Sequence, residues 1–472
     1  MMSRRERFLS FAALDEIDRP QDTALAPPAR TTIAKPAELT WWDWAVFLLH
    51  TAAEIEHTLL VQYLYAAYSL ASSDFVGSDV PPNAATLTRR WRSTIIGIAQ
   101  EEMAHLLTEQ NLLRFIDGPL NFEREDFPFH TFLYPFMLEL EPLSKTSLAK
   151  YVAAEMHAAP RIPPDELTEI VGLATKATHG MPVNRVGVLF DTLVEVFDDP
   201  MKLSDTDLRS QTVTEFQADP DDWRAFGDLV VRKVSTRDAA LDALTAIGKQ
   251  GEGSAIPSPE EPPSHFDRLL DIYRQFPDNK VGKDPIWVPT RPIPVNPNTS
   301  LDPVTDPASE RARITHPTTL RWAQLYNVRY RMLLANLAHA LYLPGPLRDS
   351  SGSLTVRGQL KDWTFDQMDV LRRLTLILTS RLLKQAPAPH EPVNAGPPFE
   401  LPYSLGLADD ERGRWRLHLA GRCCIWRSRG RRGRLICGLV RSPGPARRRL
   451  PPLARSSVRQ RRVRSGRGGC SG

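Results

Sequence analysis

Along residues 42–70 the apolar positions recur at the three- and four-residue spacing of an amphipathic helix, in a stripe centred near Ala52, Leu59 and Tyr63. A second run of this kind covers residues 88–115, with Ile95, Ala99, Leu106 and Leu113 on its inner face. Thr40, with Asp43 three residues on, predicts a capping box for the first helix, and Asp117-Gly118-Pro119 stops the second. Residues 71–87, which include Gly77, Pro81 and Pro82, join them as a loop. Helical patterns resume at about 144–157, 164–176, 183–198, 221–229 and 235–248, the last with Ser235 and Asp238 as an approximate capping box. Gln250-Gly251-Glu252-Gly253 is expected to break that helix, and Ser264 to cap another over 265–276. Residues 119–143 are aromatic and contain prolines, so they should wander over the helices; alternation over 136–141 predicts a short strand. The stretch 277–317, rich in Pro, Asp and Asn, reads as a linker or as an extended segment lying on the helices. Two more amphipathic runs, 318–344 and 364–385, precede a return to Pro and Gly over 386–410. The expected class is all-α.

Charged residues interrupt both long stripes. Glu56 falls in the middle of the first, whereas Glu54 points the other way. Glu102 falls within the second, His105 at its edge and Glu101 outside it. An unpartnered buried carboxylate costs several kcal/mol, so each must be paired, protonated or bound to a metal. Glu102 and His105, spaced i and i+3, lie on nearly one helix face and can reach one ion. A glutamate on one helix with Glu-x-x-His on the next is the ligand pattern of a carboxylate-bridged metal site in a four-helix bundle. The plainer alternative is a buried Glu-His hydrogen bond. Glu109 also faces inward, either as a hydrogen-bond partner for His105 or in a surface salt bridge. His50, His57 and His130 are expected at edges or in loops. Glu155 and Glu195, on later helices, are candidates for a third-helix carboxylate or for a solvated face. On the residues alone, Glu252 reads as a solvated turn residue and His265 as a helix-start residue.

Composition narrows the compartment. The net charge of +3 hides an asymmetry, because residues 421–472 hold 16 Arg and no Lys, Asp or Glu. The remainder carries 43 basic against 56 acidic residues, about −13. Cys423, Cys424, Cys437 and Cys470 are all in the tail, so the body has no disulfide framework and no thiolate metal site. The tail mixes Arg with Trp426, paired cysteines and prolines. It reads as a frame translated out of register, by frameshift or splicing error, rather than as a nucleic-acid arm, and is expected to be disordered. There is no apolar run of 18 residues and no secretory signal, so a cytoplasmic location is expected.

The segments His57-Thr-Leu-Leu-Val-Gln62-Tyr63-Leu-Tyr65-Ala, Ile98-Ala-Gln-Glu-Glu-Met-Ala-His105, Asn111-Leu-Leu, Gln250-Gly-Glu-Gly and Ser264-His265-Phe266 together resemble the ferritin-like domain of the iminophenyl-pyruvate dimer synthase family, found in violacein- and rebeccamycin-type bis-indole pathways. The likeness covers residues from about 40 to 275 and continues weakly to about 418. It implies a ferritin-like four-helix bundle with Pro-rich loops and accessory C-terminal helices. It also implies oxidative coupling of imino-arylpyruvates at a centre of iron or another divalent metal. Carried over residue by residue, the implied ligands are Glu56, Glu102, His105, Glu252 and His265; separately, Tyr63 and Trp91 are expected to line the pocket. The likeness further implies a polar ligand-type residue after Gly187. Val188 stands there, so Glu155, Asp191 or Glu195 would have to substitute, or the centre is mononuclear or degenerate. The organisation expected is a leader over 1–39, the ferritin-like domain over 40–276, a Pro-rich linker over 277–317, an accessory helical region over 318–418 and the Arg-rich tail over 419–472. The expected function is a metal-dependent oxidoreductase of secondary metabolism acting on an imine or 2-oxo acid from an aromatic amino acid. The rival is a non-catalytic metal-binding or structural bundle. Expected partners are the small-molecule substrate, an amino-acid oxidase supplying the imine and a second copy of the chain; nucleic acid ranks last.

Overall fold

In the computed structural model the described residues are 33–131, 133–209, 211–223, 231–252, 262–279, 285–386 and 392–401. The expectations for residues 1–32 of the leader and for the Arg-rich tail fall outside them. Helix α1 (Trp41–Ser69) opens on the predicted box, Thr40 Oγ1 accepting from the Asp43 amide and Asp43 accepting from the Thr40 amide. Helix α2 is Ala84–Phe115. The Trp42 indole donates to the Ile116 carbonyl at one end, and Arg92 reaches the Ala67 carbonyl at the other, so the two helices run antiparallel. Then come α3 (Lys145–Ala154), α4 (Pro164–Ala177), α5 (Gly187–Asp198), a 3-10 turn over Gln211–Phe216, α6 (Pro220–Trp223), α7 (Arg237–Glu252) and α8 (His265–Gln275). Helix α5 packs on α1 and α7, and α8 packs on α3, α7 and α2. The second pair of the bundle is therefore assembled from short pieces beside the long α1–α2 hairpin.

Several expected boundaries move for local reasons. Helix α5 begins at Gly187 rather than 183, because the amides of Asn184 and Val186 bond instead to the carbonyls of Pro135 and Ala154. Helix α7 is capped by Thr236, whose hydroxyl takes the Ala239 amide, not by the Ser235–Asp238 pair. It also runs through Gly248 and Gly251 to Glu252, where a break was expected. Gly251 is tolerated because it is buried where an added Cβ would meet the Glu155 carboxylate at 3.0 Å. The strand expected over 136–141 is a single bridge between Phe129 and Leu138, since the amide and carbonyl of Leu140 bond instead to Asn296. Of the helix expected over 221–229, residues 224–230 lie outside the described set.

Residues 285–298 run along the bundle. The Val288 amide bonds to the Val76 carbonyl, and the Asn296 amide to the Leu140 carbonyl. Trp287 packs against Trp91 and Phe75. After α9 (Pro307–Ala312), helices α10 (Pro317–Leu341) and α11 (Val356–Leu378) pair with one another. Helix α11 starts earlier than its apolar pattern indicates. Gly358 resembles a breaker, but it lets the helix pass the Leu347 carbonyl, which an added Cβ would meet at 2.1 Å. Tyr326, Tyr330, Leu371 and Leu374 form an apolar cluster with Val61 and Tyr65 of α1. Helix α1 is thus buried on both sides, with Leu59 and Tyr63 toward the bundle and Val61 and Tyr65 toward the added helices.

Candidate metal centre

Glu56, Glu102, His105 and His265 converge between α1, α2 and the first turn of α8, and all four are buried. His105 Nδ1 is 3.0 Å from Glu102 Oε2 and 3.3 Å from Glu56 Oε2. His265 Nδ1 is 3.1 Å from Glu102 Oε1, so Glu102 stands between the two imidazoles. Their rings are nearly parallel, with centroids 5.6 Å apart. One ligand atom from each of Glu102, His105 and His265 falls within 4.8 Å of the others. The outer nitrogens are engaged as well. His105 Nε2 donates to Gln250 Oε1 and His265 Nε2 to Glu101 Oε2, each at 2.8 Å.

Glu155, at the C-cap of α3, supplies the carboxylate from the third position of the bundle. Its Oε2 is 3.9 Å from His265 Nδ1, and its Oε1 accepts from the Tyr63 hydroxyl at 2.7 Å. The other two substitutes do not reach the centre: Asp191 is exposed, and Glu195 pairs with Lys202. Val188 packs into the apolar core. Glu252 lines the cavity but turns to α5, where its Oε1 accepts the Gly187 amide at 2.9 Å and lies 3.7 Å from Arg185. It is a helical residue, not a solvated turn. Gly187 permits this contact, since a Cβ there would fall 2.0 Å from Glu252 Oε1.

The protonation pattern follows from burial and charge. Burial, helped by the Glu102 charge, holds the Glu56 carboxyl well above its ordinary range. Burial pushes Glu102 the same way, but the charge of His265 and the contacts of Glu56 and His105 with its carboxylate outweigh it and bring Glu102 well below. Burial opposes the charge on His105, yet Glu56 and Glu102 raise it to about 10. His265 is raised too, by Glu102 and Glu101 against the same burial penalty. Glu252 is lifted to about 8 by burial, with Arg185 opposing. Without an ion, protons thus hold the cluster together.

Whether the residues suit a cation is tested by two atoms. Glu102 Oε1 and His265 Nδ1 face each other as an ion pair at 3.1 Å, and among the described residues neither atom makes an aligned hydrogen bond. A buried acceptor and an imidazole nitrogen left this way fit a divalent ion that takes both. The cavity among them is about 10 Å³, the size of one water or one ion.

Other expected residues lie elsewhere. Glu54 does face away, but it is buried and accepts from Tyr134 and Asn121. His57 is no edge residue: it is buried on the far face of α1, 2.6 Å from the Tyr330 hydroxyl, and burial next to Arg124 lowers it to about 3. Glu109 is wholly buried and does not bond His105, whose ring nitrogens are both engaged; neither of its carboxylate oxygens has a hydrogen-bond partner among the described residues. Trp91 is three helical turns from Glu102 and packs with Phe276 and Trp287, away from the cavity. Gln250 and Arg268 escaped the sequence reading. The spacing of Arg268, three residues after His265, was the available signal.

The comparisons agree with this architecture. The family model described as Ferritin-like matches residues 49–274. The chain is 25% identical over 420 residues to the 2-imino-3-(indol-3-yl)propanoate dimerase of Chromobacterium violaceum, covering 84% of this chain and 37% of that one. It is 24% identical over 405 residues to the dichlorochromopyrrolate synthase of Lentzea aerocolonigenes, covering 79% and 37%. The chain therefore spans little more than a third of the length of these relatives. No solved structure matches. Among the described residues no helix is long and apolar enough to cross a membrane. Residues 49–274 form a ferritin-like domain, in a chain that is similar to this dimerase and this synthase.

Proposed function

We propose that this chain is a metal-dependent oxidoreductase of secondary metabolism acting on an imine or 2-oxo acid derived from an aromatic amino acid. The observation that carries the reading is the convergence of Glu56, Glu102, His105 and His265, with Glu155 beside them, in the buried interior of the bundle. Glu56, Glu102, His105 and His265 would hold iron or another divalent ion, with Glu155 and Glu252 as further carboxylates. The bound ion would supply redox chemistry toward dioxygen or a grip on the substrate's nitrogen and carboxylate. The chain's own groups orient the ligands: the Tyr63 hydroxyl donates to Glu155 and holds it in place. The substrate class rests on the printed names of the two relatives. An amino-acid oxidase would supply the imine.

The test generates the imine in place from an aromatic amino acid and an amino-acid oxidase, then follows products by mass spectrometry and oxygen uptake beyond that of the oxidase. The metal-loaded wild type is expected to form a product containing two aryl side chains. Glu102→Ala should lose the rate by more than about 100-fold, the upper end for loss of a ligand's outer partner alone. A loaded wild type that binds metal but turns over no imine or 2-oxo acid would favour the second reading, a non-catalytic metal-binding bundle. Val188 and the small cavity are the observations on that side.

A further inference from the structure

His105 and His265 reach the centre under different constraints. His105 lies inside α2, a helix of 32 residues, with helical turns on either side. His265 is the first residue of α8, a helix of 11 residues, and its backbone there has no preceding turn to brace it. Glu252 and His265 are moreover on different helices, so no i, i+3 spacing locks one to the other. A ligand at a helix start needs an anchor from elsewhere to stay within the roughly 0.5 Å that a binding constellation tolerates.

Glu101 supplies the contact that fills this need. Glu101 and Glu102 are consecutive on α2 and address opposite edges of one imidazole: Glu101 Oε2 accepts from Nε2 at 2.8 Å, and Glu102 Oε1 faces Nδ1 at 3.1 Å. Glu101 is itself gripped by Arg268. Nη1 of Arg268 donates to Glu101 Oε1 at 3.1 Å, and Nη2 donates to Oε2. The Nε of the same guanidinium donates to the carbonyl of Ser264, the residue before His265, at 3.2 Å. The paired Arg–carboxylate contact fixes orientation as well as distance. His105 has only a neutral amide, Gln250, at its outer nitrogen.

We propose that Glu101, clamped by Arg268, is a positioning residue that orients His265 so that Nδ1 is presented to an ion shared with Glu102. This deepens the metal-site reading above and rests on it. With the Nε2–H donating to Glu101, the Nδ1 lone pair of a neutral His265 is the one directed inward. Glu101 does not touch the ion; it acts through the ring.

The experiment compares the full-length wild type with Glu101→Gln in two ways. Cobalt(II) titration, read by visible absorption, is expected to show affinity lowered about 10- to 100-fold in the variant. Crystal structures of the two metal-free proteins are expected to show the His265 ring displaced by more than about 0.5 Å, the usual tolerance, while His105 stays in place. Arg268→Gln, which leaves the carboxylate but removes its clamp, should weaken cobalt binding in the same direction. A merely structural Glu101 would lower the denaturation midpoint and leave cobalt affinity alone. Unchanged affinity in Glu101→Gln, or a His265 ring that superimposes on the wild type, overturns the proposal. Failure of the wild type to bind cobalt would instead sink the metal reading, and the metal-free crystal structures would still decide whether Glu101 holds the ring.

Discussion

Two neighbouring residues on α1 show how side-chain direction decides chemistry. Glu56 faces the bundle interior and shares a site with Glu102 and His105. His57, one residue on and about 100° round the helix, faces α10 and meets Tyr330. The Tyr330 hydroxyl also accepts from Arg124 Nε, so His57 shares its partner with a fixed positive charge. Burial and the Arg124 charge lower His57 from 6.5 to about 3 in the folded chain. The unfolded chain therefore takes up the proton first as pH falls, and folding stability drops with acidification below about 6.5. Between pH 7 and pH 5 this group alone should remove about 2 kcal/mol. Urea denaturation at the two pH values should show that difference shrinking by a comparable amount in His57→Gln. An unchanged pH dependence would count against the assignment.

At the scale of elements, the centre depends on close approaches that glycine allows. The Gly187 amide opens α5 and holds Glu252, and Gly251 lets α7 pass Glu155. Gly187→Ala should cost about 1–3 kcal/mol, the usual range for overpacking, measured as a lower denaturation midpoint. A midpoint equal to wild type would mean that Glu252 has somewhere else to go. The same helices show what was legible in the sequence. Long stripes with caps, such as α1 with Thr40 and Asp43, were read correctly, because local spacing and local hydrogen bonds specify them. Glu56, Glu102 and His105 stood out because charge interrupted those stripes. Glu155 and His265 did not stand out in this way: one is a C-cap and the other a first residue, and helix ends carry no periodic signal. Gly251 looked like a breaker, although its place in α7 is set by the Glu155 carboxylate beside it. Spacing along the chain cannot report such neighbours.

For the whole molecule, the telling feature is that α1 belongs to two cores. Leu59 and Tyr63 serve the cluster shared with α2, α3 and α5, while Val61 and Tyr65 serve the one shared with α10 and α11. Residues 285–298 are hydrogen-bonded to the bundle at Val76 and Leu140 rather than free of it. Neither layer can then melt without exposing α1, so calorimetry of the metal-free chain should give one cooperative transition. Two well-separated transitions would show that the added helices form an independent domain. The central claim, that buried carboxylates and imidazoles from separate helices hold an ion, is tested most directly by elemental analysis. Wild type and Glu102→Ala would be loaded with iron, manganese or zinc, passed through gel filtration without chelator, and measured. The account predicts that the wild type keeps at least about one ion per chain and that the variant loses it; a wild type holding fewer than about 0.2 would contradict the account, because an intact site with several ligands retains its metal.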